Sequence, residues 1–547
     1  MGGAFLFIYM QQIIRFSVSI GTMFWADRIA GEIVKRFENE LSEGRPIIIR
    51  DEKTLSGRVH VGSARGAAIH GAVAEALGKR GVPYKFLWEH NDFDVFDGVP
   101  SYLPQEKFEP YLGMLLKDVP SPDGVGNYAE YYAKEFQGVI EESGFHPEFY
   151  WGSEPYVSGK MDGVIREALE GAADIRRIYK EVSGGERKET WLPINVICPQ
   201  CKKVATTEAT DFDGETVLVN CYPTKAPYTK GCGFEGRVSP FGGNAKLPWK
   251  PEWAAKWKVH NVMVEGGGKD HATKGGSRDV ANHISEEVFK YATPFDVPYE
   301  FFLVGGKKMS SSKGRGSSAR EIADLMPPKI FRLALLSKDI NQAFNFDPEG
   351  DTIPVLFDLY DKLAEGYKTT KDDDYATLFE AIHAGTLPTD VYLPRFSQVA
   401  FIVQMPHLDL EKEIEGVKGH HLTAADKKEL SERAQYAQRW LTACAPEKFV
   451  FKLQGECPDA AKNLSEVQKR ALKNLKAFIE SADAMPSGED MHHKLHSLKE
   501  EEKISPADLF SALYLAFLGK GYGPKAGWFL SVLDKDFVLK RLGEVTA

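Results

Sequence analysis

The sequence predicts a doubly wound α/β half that carries a cysteine-bearing insertion, followed by an all-helical half. Three observations predict it. Apolar strand-like runs alternate with glycine-bearing turns and helical stretches up to about residue 345. A segment rich in Gly, Pro and Cys, residues 190–245, interrupts that alternation. Beyond about residue 350 the strand signals fade, and amphipathic helical periodicity with charged outer faces takes over. The boundaries expected on this basis are 23–345 for the α/β domain, with the insertion at 190–245, and 346–547 for the helical domain.

The elements follow in order. MFWADRIAGEIVKRFENEL spaces Trp25, Ile29, Ile33, Val34 and Phe37 as one helical face. RPIIIRD reads as a short buried strand at 46–50, and AAIHGAVAEALGKRG as a helix closed by Gly81. YKFLWEHND reads as the next strand, and EYYAKEFQGVIEESG and DGVIREALEGAADIRRIYKEV as helices. After the insertion, VHNVMVE reads as a strand, GGGKDH as a turn, RDVANHISEEVFKYA as a helix and YEFFLV as a strand. SAREIADLMPPKIFRLALLSK reads as a helix pair broken at Pro327–Pro328. In the C-terminal half, TAADKKELSERAQYAQRWLTACA, EVQKRALKNLKAFIESADA and SPADLFSALYLAFLGKG carry helical periodicity. Phe510, Tyr514 and Phe517 fall at core spacing there.

Composition bounds the class. The 547 residues are 43% hydrophobic and 27% charged, an ordinary globular balance. The net charge of −10 argues against indiscriminate polyanion binding but leaves room for a local basic face. Six cysteines in so long a chain indicate a reducing, cytoplasmic setting. The apolar start, GAFLFIYMQQIIRFSVSIGT, is interrupted by Gln11, Gln12 and Arg15, which makes it a poor membrane span. It also lacks a basic n-region and a clear cleavage site. Residues 1–22 are therefore expected to be a non-native or disordered extension, with no membrane partner.

Two constellations carry chemistry. In SGRVHVGS, His60, Gly62 and Ser63 stand between a strand and a helix. There glycine admits a ligand to the backbone, helix N–H groups face phosphate, and an imidazole can donate to a phosphoryl oxygen. In GGKKMSSSKGRGSS, the lysines suit the β- and γ-phosphates of a nucleotide, and Gly305, Gly306, Gly314 and Gly316 give the loop freedom to move. A third cluster, Cys198, Cys201, Cys221 and Cys232, has C-x2-C spacing followed by a looser C-x10-C. Four thiolates of this kind can close a structural tetrahedral zinc site.

HVGS resembles the HIGH signature, and KMSSS the KMSKS signature, of class I aminoacyl-tRNA synthetases. Each follows a strand, about 250 residues apart. KTLSGRVHVGS, NDFD at 91–94, WKPEWAAKW at 249–257 and GGGKDHATKGGSRD at 266–279 resemble the class I lysyl-tRNA synthetase branch, as does the ending WFLSVLDKDFVLKRLGE. The resemblance spans nearly the whole chain from Met23. The chain departs from the pattern at Leu55-Ser56-Gly57, where the family has Pro-Ser-Gly. It departs again at Glu52, where the family has glycine, and at Ser63 and Ser311.

The resemblance implies a Rossmann-type catalytic domain and a helical anticodon-binding domain. The expected activity is ligation of L-lysine to tRNA(Lys) through a lysyl-adenylate, with ATP and Mg2+, in a cytoplasmic monomer. The alternatives are a class I synthetase for glutamate or a non-catalytic tRNA-binding paralogue. His60, Lys308 and Lys313 are the expected catalytic residues. Ser56, Gly57, His60, Gly62, Ser63, Gly267, Asp270, His271, Lys308, Met309, Ser310, Ser312 and Lys313 are expected to bind ATP. Glu52, Thr54, Trp253, Asp270, His271 and Asp279 are expected to bind the amino acid, because a buried ammonium needs an acidic or aromatic partner. Asp92 and Asp94 either meet the tRNA terminus or cap a loop. Arg433, Tyr436, Arg439, Trp440, Lys452, Lys540 and Arg541 lie in the domain expected to read the anticodon.

Overall fold

The computed structural model describes residues 24–306, 317–369, 374–383, 387–388, 390–405 and 408–547. The extension 1–22 lies outside them, as do Lys308, Met309, Ser310, Ser312 and Lys313. The chain divides into two compact units: residues up to Asp347 together with Lys362–Leu387, and Pro348–Asp361 together with Pro388–Ala547.

The first unit is built on a parallel sheet. β1 (Ile47–Thr54) pairs in parallel with β2 (Tyr84–Asn91), and β2 with β3 (Glu148–Trp151). On the other side of β1, Ile49 bridges Val264 and Val264 bridges Phe295, again in parallel. The sheet therefore grows outward in both directions from β1, as a doubly wound sheet does. Its crossover helices are α2 (Val61–Lys79) and α3 (Tyr128–Glu142), and α1 (Trp25–Arg36), which precedes β1, packs against α2. α1 buries Trp25, Ile29 and Ile33, each contributing roughly 1.5–3 kcal/mol on leaving water. α3 opens on a capping box between Asn127 and Glu130.

Three local expectations need correction. β1 runs on to Thr54 instead of stopping at Arg50, which carries Asp51, Glu52, Lys53 and Thr54 to the C-terminal end of the sheet. VHNVMVE is not a strand along its length. Helix α4 (Trp249–His260) takes Val259 and His260, Asn261 turns in the left-handed conformation, and only Val264 pairs with the sheet. YEFFLV splits into Pro298–Tyr299 and Phe302–Val304, which pair with Gly267–Gly268 and Phe344–Phe346 respectively. Apolar alternation marks strands but cannot count how many residues find a partner.

The insertion is short-stranded, as its composition indicates. Thr207–Thr210, Val217–Cys221 and Glu235–Val238 form an antiparallel sheet. Asn195–Val196 and Ala245–Lys246 pair side by side where the chain enters and leaves it. A second helix over the site, α5 (Ser277–Glu287), follows α4.

The second unit is helical. Ala424–Ala443, Glu466–Glu480, Gly488–Glu501, Pro506–Leu518 and Lys535–Thr546 are its longer helices. Phe517 is fully buried and Tyr514 nearly so. Among the described residues, no helix is long and apolar enough to cross a membrane.

Candidate active site

A cavity of ≈ 390 Å3 opens at the C-terminal ends of the parallel strands, where an open α/β sheet binds its ligands. It gathers residues that are far apart in the chain. Glu52 and Thr54 come from the end of β1, His60, Gly62 and Ser63 from the start of α2, Trp253 from α4, and Gly267, Asp270 and His271 from the glycine turn. Ser56, Gly57 and Asp279 do not line it. The Ser56 carbonyl accepts from the Tyr128 hydroxyl, Gly57 takes φ +152°, and the Asp279 carboxylate accepts from the Gly275 N–H.

His60 is the N-cap residue of α2 and bridges Ser318 in antiparallel fashion. The chain returning from the Lys308–Lys313 segment is thus fastened to the His60 turn, with the Val61 N–H donating to the Ser317 carbonyl and the Ala319 N–H to that of Val59. Gly62 is required beside it. A Cβ there would stand 2.9 Å from His60 Nδ1 and 3.4 Å from the Phe302 carbonyl oxygen. The H-x-G spacing therefore lets the imidazole lie across the first turn of the helix beside the Gly62 N–H, while the Val61 and Ser63 N–H groups donate to the Ser317 and His60 carbonyls.

The glycine turn is held from behind. His70, on α2, accepts from the Gly266 N–H at Nε2 (2.9 Å). That leaves Nδ1 as the protonated nitrogen, donating to the Gly66 carbonyl (2.9 Å) with Asp51 Oδ2 3.1 Å away. Trp249 and Trp253 stack at 5.8 Å, and both present edges to His271.

Beneath the cavity lies a charge network that the sequence did not reveal. Arg50 is fully buried and donates to Glu265 (2.7 Å), Glu89 (2.5 Å), Glu52 and the Tyr150 hydroxyl (2.8 Å). Lys256 donates to Glu89 (2.5 Å) and Glu52 (3.4 Å) and lies 3.6 Å from Glu252. Lys246 joins Asp94 (3.1 Å) and Glu252 (3.3 Å). Burial disfavours the charge on Arg50, but Glu265, Tyr150, Glu89 and Glu52 outweigh it and hold the guanidinium firmly protonated. Burial likewise opposes Lys256, and Glu252, Glu52 and Glu89 outweigh it. Three cations thus face five carboxylates: Glu52, Glu89, Glu252, Glu265 and Asp94.

Glu265 decides the character of the cavity. It is 1% exposed yet lines the wall. Its oxygens accept from Trp253 Nε1 (2.8 Å), Trp257 Nε1 (2.9 Å) and Arg50, and burial raises its pKa above the usual carboxylate range. Trp257 is buried and packs under Arg278, so it supports the wall from behind. Asp92 caps a loop, accepting from the Ser153 N–H and hydroxyl, whereas Asp94 lines the cavity. Among the described residues, Asp51, Glu52, Asp94, Glu265 and Asp270 line it together with one lysine, Lys53. Among the described residues no arginine lines it: Arg278 is spent on the Glu265 and Pro294 carbonyls.

Residues 23–384 match the family described as tRNA synthetases class I (K), and residues 428–546 match an anticodon binding domain. The chain belongs to the class I (K) tRNA synthetase family. It is 32% identical to a lysine--tRNA ligase of Methanosarcina barkeri, over 96% of this chain and 98% of that one. It is 30% identical to a lysine--tRNA ligase of Archaeoglobus fulgidus, over 95% and 99%. Among solved structures, a glutamate tRNA ligase from Elizabethkingia meningosepticum aligns at 14% identity with a TM-score of 0.40, covering 92% of this chain and 99% of that one.

In the synthetase's insertion the four cysteines converge. Their sulfurs all lie within 4.8 Å of one another, with Cys198–Cys232 at 3.5 Å and Cys201–Cys221 at 3.7 Å. Thiolates around a tetrahedral zinc with 2.3 Å bonds stand about 3.8 Å apart, so the donor set fits that ion. The Cys232 N–H points at Cys221 Sγ (3.4 Å), which would stabilise a thiolate there.

Proposed function

We propose that this synthetase joins L-lysine to tRNA(Lys) in two steps, first forming lysyl-adenylate from ATP and then transferring the lysyl group to the terminal ribose. The observation that carries the reading is the excess of carboxylates around an indole-walled cavity. A side-chain ammonium entering it meets Glu265 and Glu52 and completes the charge balance, while a carboxylate side chain would meet like charge and, among the described residues, no arginine.

The residues then divide the work. The lysine carboxylate attacks the α-phosphate of ATP and pyrophosphate departs. His60, at the start of α2, donates to the phosphoryl oxygens as charge develops, with the Gly62 N–H and the Ser63 hydroxyl beside it. Gly267, Asp270 and His271 support the adenosine and the aminoacyl group. Lys308 and Lys313 neutralise the departing pyrophosphate, which travels with Mg2+ as the metal complex of the substrate. The 2′-hydroxyl of the tRNA then attacks the adenylate carbonyl. No side chain need form a covalent intermediate, because positioning and charge carry the catalysis.

The four cysteines hold one structural zinc, which fixes the insertion and takes no part in the chemistry. Metal analysis should return about one zinc per chain in the wild type and none in Cys201→Ser.

The test of the whole reading is charging with labelled amino acids, using ATP, Mg2+ and total tRNA. Lysine alone should be charged, and His60→Ala should lower the rate about 100-fold without changing the KM for lysine. Charging with glutamate would overturn the specificity. Binding of tRNA with no charging would indicate a non-catalytic paralogue.

A further inference from the structure

One charged group at the catalytic cavity has no part in the chemistry above. Lys53 lines the cavity near the end of β1 and is half-buried there. It makes no hydrogen bond and no ion pair among the described residues. The two carboxylates next to it in sequence are turned elsewhere. Asp51 Oδ2 lies 3.1 Å from His70 Nδ1, and Glu52 is held by Arg50 and Lys256. Burial disfavours the Lys53 ammonium more than the charges of Asp51 and Glu52 favour it, so its pKa falls below the usual lysine value. The other buried lysines of the region, Lys246 and Lys256, are each matched to carboxylates. Lys53 alone among these three is short of an anion.

The strand says which anion. β1 is paired with β2 residue for residue as far as Thr54, so its side chains alternate between the two faces of the sheet. Glu52 and Thr54 take one face, where Glu52 meets Arg50 and Lys256 and the Thr54 hydroxyl donates to Asp94 Oδ2 (3.4 Å). Asp51 and Lys53 take the other, which faces α2: a Cβ on Gly66 would stand 2.7 Å from Asp51 Oδ2. Lys53 lies two residues nearer the C-terminal end of the strand, roughly 6–7 Å further along. α2 runs back from that end and begins just after His60. The strand thus sorts its charges. Its carboxylate, Glu52, serves the side where the amino acid is read, and its ammonium, Lys53, serves the side of the first turn of α2, where phosphate is read.

We propose that Lys53 is a further substrate-binding residue, whose ammonium pairs with a non-bridging oxygen of the α-phosphate, first in ATP and then in the aminoacyl-adenylate. When the amino-acid carboxylate bonds to the α-phosphorus, the bond to pyrophosphate breaks and the α-phosphate keeps one negative charge. Lys308 and Lys313 serve the phosphates that leave. Lys53, fixed on the sheet, serves the one that stays and keeps it in place for the tRNA. The assignment rests on the adenylate chemistry proposed above, but not on which amino acid is activated.

The experiment uses the full chain with AMP and adenosine as probes, which differ only in the α-phosphate, and reads their affinities by calorimetry. Lys53→Met keeps the length of the stem and removes the charge. It should bind AMP about 30-fold more weakly, the loss of one charged hydrogen bond, and adenosine as before. Lys53→Arg should recover most of the AMP affinity. In charging assays kcat should fall in Lys53→Met while the KM for lysine holds. Unchanged AMP affinity in Lys53→Met would overturn the assignment. A parallel loss of AMP and adenosine would overturn it too, by making Lys53 a support of the wall. A loss of L-lysine affinity with AMP unaffected would give the ammonium to the substrate's carboxylate instead. If AMP weakens as expected in a chain that charges no lysine, the reading of amino-acid specificity fails and this one stands.

Discussion

Both units bury arginine, and the contrast between them shows what separates a site from a scaffold. In the helical unit, Arg433 is sealed from solvent and saturated. It donates to both Asp361 oxygens, to Glu429 and to the Pro394 carbonyl. Arg541 is similarly spent on the carbonyls of Ala516, Gln454 and Gly455. In the catalytic unit, Arg50 is just as deeply buried, but the carboxylates around it and Lys256 remain in excess, and two of them, Glu52 and Glu265, line a cavity. Buried charge alone is therefore no sign of function. An imbalance of buried charge facing a cavity is one.

The contrast can be tested, beginning with the largest effect. Arg433→Met should leave Asp361 and Glu429 without their partner and destabilise the helical unit by about 3–5 kcal/mol, read from urea unfolding. If stability is unchanged, the scaffold reading of Arg433 is wrong.

Histidine gives the next test. His90, 2% exposed and stacked on Phe149, has a pKa lowered to about 4 by burial. The unfolded chain would bind this proton near pH 6.5 and the folded chain only near pH 4. Stability is therefore full above pH 6.5 and falls as the pH drops through that window, by about 3 kcal/mol. His90→Phe should remove that part of the acid sensitivity.

Glu265→Gln bears on the cavity directly. Lysine KM should rise about 100-fold while ATP KM holds, because one of the carboxylates facing the ammonium is neutralised. An equal effect on both substrates would make Glu265 a scaffold residue like Arg433's partners. The smallest effect is expected from His70→Leu, which leaves the Gly266 N–H without its acceptor. It should raise ATP KM about tenfold and spare lysine KM.

Much of the fold was legible because periodicity reports burial. The helices at Ala424–Ala443 and Pro506–Leu518, and the break at Pro327–Pro328, follow directly from spacing and proline. The residues that gather at the cavity from His60, Gly62, Gly267 and Asp270 could be found because glycine next to a chemical side chain is a local signal. Arg50, Lys256 and Glu265 could not. Arg50 and Glu265 stand 215 positions apart, and pairing across that distance leaves no period in the sequence. Glu252 and Glu265 carry no local signal that sets them apart, yet the fold buries both. Conversely, Arg433, Trp440 and Arg541 stand in the domain expected to read the anticodon, but they belong to its interior. Composition cannot tell an arginine that faces phosphate from one that holds carbonyls.

The two-residue pairing of Asn195–Val196 with Ala245–Lys246 brings the two ends of the insertion side by side. A tight turn could join those ends, but it would also strip the Val204 N–H from the Gly113 carbonyl, the Thr229 hydroxyl from that of Leu112, and Val217 and Val219 from the core they share with Ile165 and Trp253. The seam has a fixed cutting point. Ala245 can end the excision, but Lys246 supplies the ammonium that reaches Asp94 and Glu252 in the catalytic network. A miniaturised enzyme trimmed one residue too far would keep its motifs and lose a counter-ion, whereas one cut at Ala245 would keep that counter-ion and lose only what the module itself packs against.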